Sequence, residues 1–183
     1  MQTDAVQKLI TSRYAAAHGA VPSFDYPHFC VVGSTPSAPA AALGFRLANE
    51  GRLFLETYLD QPVDHLLSER FGRSIGRDHI VEIGAHASEK SHATIALWAQ
   101  TARHLDGQAE FAVAVITAPL RAMFDRLGIA ITELAAADPA RLPCGGKDWG
   151  RYYATTPMVC AGLIAPARQR LAAFADRFSG SCA

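Results

Sequence analysis

The sequence predicts a single α/β domain built around a mixed sheet. Two observations lead there. Short runs rich in Val, Ile and Phe alternate with longer stretches at helical spacing, and half of the 183 residues are hydrophobic. A chain of this length buries roughly 70% of its unfolded surface, so no disulfide or structural metal is needed for stability. Neither an internal repeat nor a Pro-, Gly- or Ser-rich linker divides it. Residues 1–183 therefore read as one domain, with 1–25 an N-terminal helical segment and 165–183 a C-terminal helix and tail.

In order, Ala5 to His18 places Val6, Leu9, Ile10, Arg13 and Tyr14 at helical spacing before Gly19. Phe29 to Val32 is a short strand, followed by a Ser/Pro-rich turn from Gly33 to Pro39. Ala41–Ala48 and Leu53–Asp60 flank Asn49-Glu50-Gly51-Arg52 and predict a hairpin. Val63 to Arg70 reads as a helix, and His79 to Gly84 as a buried strand. His92 to Leu105 is the clearest helix, with Ile95, Trp98, Ala99, Ala102 and Leu105 in one stripe. Phe111 to Thr117 is a strand, Leu120 to Leu127 a helix, and Ile129 to Leu134 a β-rich stretch. Met158 to Ile164 closes the sheet before a terminal helix from Ala167 to Phe178.

Composition excludes several classes. Seventeen basic residues balance seventeen acidic ones, which argues against a nucleic-acid partner. Charged residues amount to 19%, too few for disorder in so apolar a chain. No apolar run reaches the roughly 18–20 residues of a membrane span, and Met1-Gln2-Thr3-Asp4 does not open a signal peptide. Cys30, Cys144, Cys160 and Cys182 lack metal-ligand spacing and read as free thiols of a reducing cytoplasm. The seven histidines form no metal set either, and His86 and His92 read as loop or surface residues. No nucleophile elbow, Walker loop or dinucleotide glycine pattern is present.

Two carboxylates are the candidates for chemistry. Glu56 and Glu82 each sit inside an apolar run, where an unpaired ionised carboxylate costs several kcal/mol. Either they are paired structurally, or their strand faces border a polar cleft. Arg46 is the natural partner. A hairpin loop one residue longer or shorter than two residues puts Arg46 on the face of Glu56, Tyr58 and Asp60, and that register is expected because it resolves both charges. Trp149, Tyr152 and Tyr153 form an aromatic cluster that either packs on the core or walls a substrate site.

Six blocks in order carry a resemblance: Ala41–Arg46, Leu53–Asp60, Ile80–Gly84, Ile116–Arg121 with Phe124–Gly128, Ala137–Pro139, and Trp149–Tyr153 with Pro157 and Gly162. Together they resemble the bacterial thermostable hemolysin family, from about Tyr14 to Ile164. That resemblance implies a fold like the GCN5-related N-acetyltransferases (GNAT): a mixed, mostly antiparallel sheet flanked by helices. It also implies kinship with acyl-homoserine-lactone and N-acyl amino acid synthases. The Glu82 and Phe111–Thr117 strands would splay to admit a pantetheine arm.

The implied activity moves an acyl group, expected to be a fatty acyl, from an acyl carrier protein or coenzyme A thioester to a small amine or amino acid. No cofactor is permanently bound; acyl-ACP or acyl-CoA is a donor substrate. Glu82 would be the base and Tyr153 the donor of a proton to the leaving thiolate. Arg46, Glu56, Tyr58, Phe124 and Trp149 would bind substrate, while Ile83, Gly84, Ala85 and Ala118 would hold the donor. Phe45, Phe54, Trp98 and Phe124 are candidate walls of an acyl tunnel. The turn Ala85 to His92 lacks the family's usual glycine, which favours a carrier-protein donor over a coenzyme A pyrophosphate. Lys90, Arg103, Arg121 and Arg126 would meet an acidic carrier. Two other readings stay open: a membrane-active haemolysin using the Arg-rich terminal helix, and a non-catalytic domain that binds an acyl chain or a partner.

Overall fold

The computed structural model describes residues 2–35 and 38–179, so Cys182 and the centre of the predicted Pro36–Ser37 turn lie outside the described residues. Among the described residues five α-helices and six strands follow in order: α1 (Gln2–His18), β1 (His28–Thr35), β2 (Ala38–Leu47), α2 (Val63–Phe71), β3 (Ile80–Ser88), α3 (Ser91–Leu105), β4 (Phe111–Ile116), α4 (Ala118–Arg126), β5 (Thr132–Ala136), β6 (Met158–Leu163) and α5 (Ile164–Ser179). They form the predicted α/β domain with one mixed sheet, ordered β1-β2-β3-β4-β6-β5. Every adjacent pair is antiparallel except β3 with β4. That parallel step needs a crossover, and α3 supplies it.

Alternation along β2 sorts the core. Ala41, Leu43 and Phe45 face α3 and α5, packing with Leu97, Trp98, Leu105 and Leu171. Ala42 faces the other way, onto Val6, Leu9 and Ile10 of α1. A third cluster joins Leu53, Leu55, Tyr58, Val63 and Leu67 to Phe111, Val113 and Val159. No helix among the described residues is long and apolar enough to cross a membrane.

The predicted Leu53–Asp60 strand is absent. Phe54–Tyr58 is a 3-10 helix, and the hairpin is instead β1 with β2, running from His28↔Phe45 to Thr35↔Ala38. The cause is local. Glu56 Oε2 accepts from the Leu53 amide at 2.9 Å, and Glu82 takes the next two amides, so the segment's N–H groups cap carboxylates rather than joining a ladder. The β-rich stretch predicted at Ile129–Leu134 is shifted toward Thr132–Ala136.

Two features of β3 position the site. Its pairing with β4 runs from Ile80↔Phe111 to Ile83↔Ala114 and goes no further, although β3 continues to Ser88. Against β2, the register slips between Ala42↔Ala87 and Gly44↔Gly84, a bulge in which Ala85 takes φ +50°. The extra residue swaps faces: Ala85 and Ala87 turn toward α1, and His86 turns toward Trp98 of α3.

Candidate active site

The opening between β3 and β4 leads into one cavity of about 1010 Å³ with walls from both faces of the sheet. On the α1 side stand Tyr14, Phe24, Tyr26, Phe54, Trp149 and Tyr152. On the α3 side stand Trp98, Ala102, Phe124, Ile129 and Leu171. The sheet floor there is made of small residues, Ala112 and Ala114 of β4 with Cys160 and Gly162 of β6, which is why space remains.

Glu82 lies at the junction and is only 2% exposed. Its Oε2 accepts from the Phe54 amide and its Oε1 from the Leu55 amide, both at 2.8 Å. Burial pushes the carboxyl up; those two amides and Arg46 pull it down and Glu56 adds to the rise, leaving it at about 7. An acid poised near neutrality suits a general base. Arg46 stands opposite Glu82 across the β2–β3 pair, and its Nη2 donates to the Asp25 carbonyl at 2.7 Å and to Asp25 Oδ2 at 3.2 Å.

Glu56 sits elsewhere. Its carboxylate takes Arg77 Nη1 at 2.6 Å and the Val63 amide at 3.1 Å besides Leu53, and it does not line the cavity. Burial raises the carboxyl, but Arg77 and the amides outweigh that and hold it below its usual range. The expected Arg46–Glu56 contact therefore gives way to two separate pairs, Arg46–Asp25 and Arg77–Glu56.

The remaining candidates divide. Tyr58, Phe124, Trp149, Ile83, Gly84 and Ala85 line the cavity; Tyr153, Ala118 and Phe45 do not. Tyr153 stands behind the wall, its hydroxyl 2.6 Å from that of Tyr58. Ala118 lies in α4 between the lining residues Thr117 and Pro119. Trp149 stacks on Phe54 at 5.8 Å, and Phe124 stacks on Trp98 at 4.5 Å. Arg121 is tied to the Ile116 and Thr156 carbonyls and to Glu133, which removes it from the cations expected to face a carrier. Among the described residues no group of three His, Cys, Asp or Glu could hold a metal ion.

Sequence reading missed two residues. Tyr26 lies across Gly44 and Gly84: a Cβ on Gly84 would come within 2.0 Å of its hydroxyl oxygen, and one on Gly44 within 2.7 Å of its ring. Burial and then the Glu82 charge raise its hydroxyl well above the usual range. The signal was available, since paired glycines inside strands mark a close approach by another group. His86 is the second. It is a half-buried wall residue with an enclosed Nε2, not a surface residue, because the bulge that turned it inward leaves no trace in the sequence.

Comparison with known proteins concerns the fold. The chain aligns with FeeM, an N-acyl amino acid synthase from uncultured soil microbes, at TM-score 0.61 and 11% identity over 92% of this chain and 94% of that one. BjaI, a CoA-dependent acyl-homoserine lactone synthase solved with MTA, aligns at TM-score 0.63 and 14% identity over 98% and 84%. TofI in a ternary complex with an inhibitor and MTA aligns at 0.57 and 16% over 93% and 90%. No curated protein matches. The sheet with its single parallel step is thus the GNAT-like fold that these solved structures share. The family model described as thermostable hemolysin matches residues 1–168, and the chain belongs to that family.

Proposed function

We propose that this chain is an N-acyltransferase that moves an acyl group, fatty in character, from an acyl carrier protein or coenzyme A thioester to the amine of a small acceptor. The observation that carries the reading is Glu82, a buried carboxyl raised to about 7 at the point where β3 leaves β4. The acyl-transferring relatives share this fold and add support at the level of reaction class.

In this reading the acyl chain occupies the α3 side, over Ala112, Ala114, Cys160 and Gly162, and the acceptor enters from the α1 side. An ammonium cannot attack, so Glu82 takes its proton directly or through water. The freed amine adds to the thioester carbonyl, and the N–H groups of Ile83 to Ala85 stabilise the oxyanion beside the bulge. The C–S bond then breaks as the second proton leaves the acceptor nitrogen and is relayed through the Tyr58 hydroxyl, oriented by Tyr153, to the departing thiolate, which restores Tyr58 and yields amide and free thiol. Cys160 is no covalent carrier: burial first, with Glu133, pushes its thiol up to about 12. Because Arg46 is held by Asp25, an acceptor carboxylate would meet Arg13 or Arg52, which line the same end.

The test is intact mass spectrometry of an amine and amino acid panel incubated with long-chain acyl-ACP or acyl-CoA. Wild type should give acyl adducts and Glu82→Gln should not. Adducts from both would remove Glu82 as base. No adduct and no thiol release with any donor would refute the transferase.

A further inference from the structure

Tyr26 has no role in the transfer just described, yet it is fitted closely to the opening of the sheet. Its ring reaches from β2 to β3 over two glycines. A Cβ on Gly44 would come within 2.7 Å of the ring, and one on Gly84 within 2.0 Å of the hydroxyl oxygen. These glycines face each other across the β2–β3 pair. Gly84 is also the first β3 residue beyond the last pair with β4, Ile83↔Ala114. The hydroxyl therefore stands over the point where the two strands part. The preceding residue anchors it, because Arg46 Nη2 donates to the Asp25 carbonyl at 2.7 Å.

Packing over two glycines asks only for a ring, which Phe would supply. The hydroxyl adds a polar group to the cavity that Tyr26 lines. Burial and then the Glu82 charge hold its proton on, so it is a hydrogen-bond donor there and not a base. Nothing that bears on its acidity is a hydrogen bond from the described residues. Glu82 is served instead by the Phe54 and Leu55 amides. A donor of this kind at the parting of the strands is free for a ligand.

We infer that Tyr26 is a catalytic residue whose hydroxyl donates a hydrogen bond to the thioester carbonyl, adding a side-chain donor to the amides of Ile83 to Ala85. The inference rests on the acyl-transfer reading and names a further contact of that same site. As the amine lone pair forms the C–N bond, the C=O π pair moves onto oxygen. The Tyr26 O–H meets the charge that develops there, in a place shielded from water. When the pair returns to re-form the carbonyl, the C–S bond breaks. Tyr26 keeps its proton throughout, unlike the Tyr58 relay, so its part needs no resupply.

The test is isotope-edited infrared spectroscopy of the dodecanoyl thioester of N-acetylcysteamine, with and without carbon-13 at the carbonyl, bound to the full chain. A hydrogen bond to the carbonyl lowers its stretching frequency. The band in wild type should fall below that of the free thioester in buffer, and Tyr26→Phe should move it back up. A residue that only packs would leave the band in place. Where an amine acceptor is found, Tyr26→Phe should lower kcat about 100-fold, with KM for the donor and the pH limb of Glu82 unchanged. A wild-type band no lower than that of the free thioester, a band unmoved by Tyr26→Phe, or failure of the thioester to bind would overturn the inference. Should Tyr26→Phe not fold, the wild-type band still decides. Transfer is followed separately by mass spectrometry. A Tyr26-dependent band without transfer to any amine would sink the acyltransferase and leave this contact standing; transfer without the band shift would do the reverse.

Discussion

Glu82 supplies two pH signatures of opposite kind. As a base it must be ionised, so kcat/KM should climb with pH through about 7 and level off above it. Stability should run the other way. The folded-state value lies above the ordinary 4.5, so the folded chain holds the proton more tightly than the unfolded one. That contribution is complete below the unfolded value and is lost as pH rises through about 7. Chemical denaturation of wild type and Glu82→Gln between pH 4 and 8 checks it: the variant should lack this decline. Gly84 makes a steric prediction. Gly84→Ala sets a methyl against the Tyr26 hydroxyl and should cost about 1–3 kcal/mol, a loss largely absent in a Tyr26→Ala background. Glu82 was legible in the sequence because a carboxylate inside Ile80–Ile83 has few structural excuses. Its partners were not, since backbone amides carry no letter code.

Among the elements, the segment after β2 separates what periodicity can reveal from what it cannot. Leu53 to Tyr58 is apolar and β-rich like a buried strand, yet three of its first amides are claimed by carboxylates, one of them 28 positions away along the chain. Regular strands and helices such as β4 and α3 were legible because their apolar spacing matches one geometry. The 3-10 turn was not, because its determinant is a distant carboxylate. Arg77–Glu56 should therefore be a stability pair and not a catalytic one. Glu56→Gln should lower unfolding free energy by about 2 kcal/mol at neutral pH, allowing for the partly exposed Arg77. Glu56 is held below its usual range, so its contribution is present at neutral pH and is lost as pH falls through the folded value. The gap between wild type and variant, read from denaturant midpoints, should close in acid.

At the scale of the molecule, the β3–β4 divergence was expected from family resemblance, and the pairing that ends at Ile83↔Ala114 accords with it. The size of the space was not legible, because small residues on alternate positions of β4 and β6 look like any Ala-rich strand. Ala114→Leu should fill part of the α3 side, restricting turnover to shorter acyl donors without loss of thermal stability; a donor-length series together with a melting curve checks both. A cavity with walls on both faces of one sheet has a further consequence. The two substrates would meet through separate doorways, and neither would plug the other's. While the acceptor's doorway stood empty, solvent would reach a bound thioester along the amine's own line of approach. Slow hydrolysis of the donor, quenched as acceptor is added, would be the leak of a passage open at both ends.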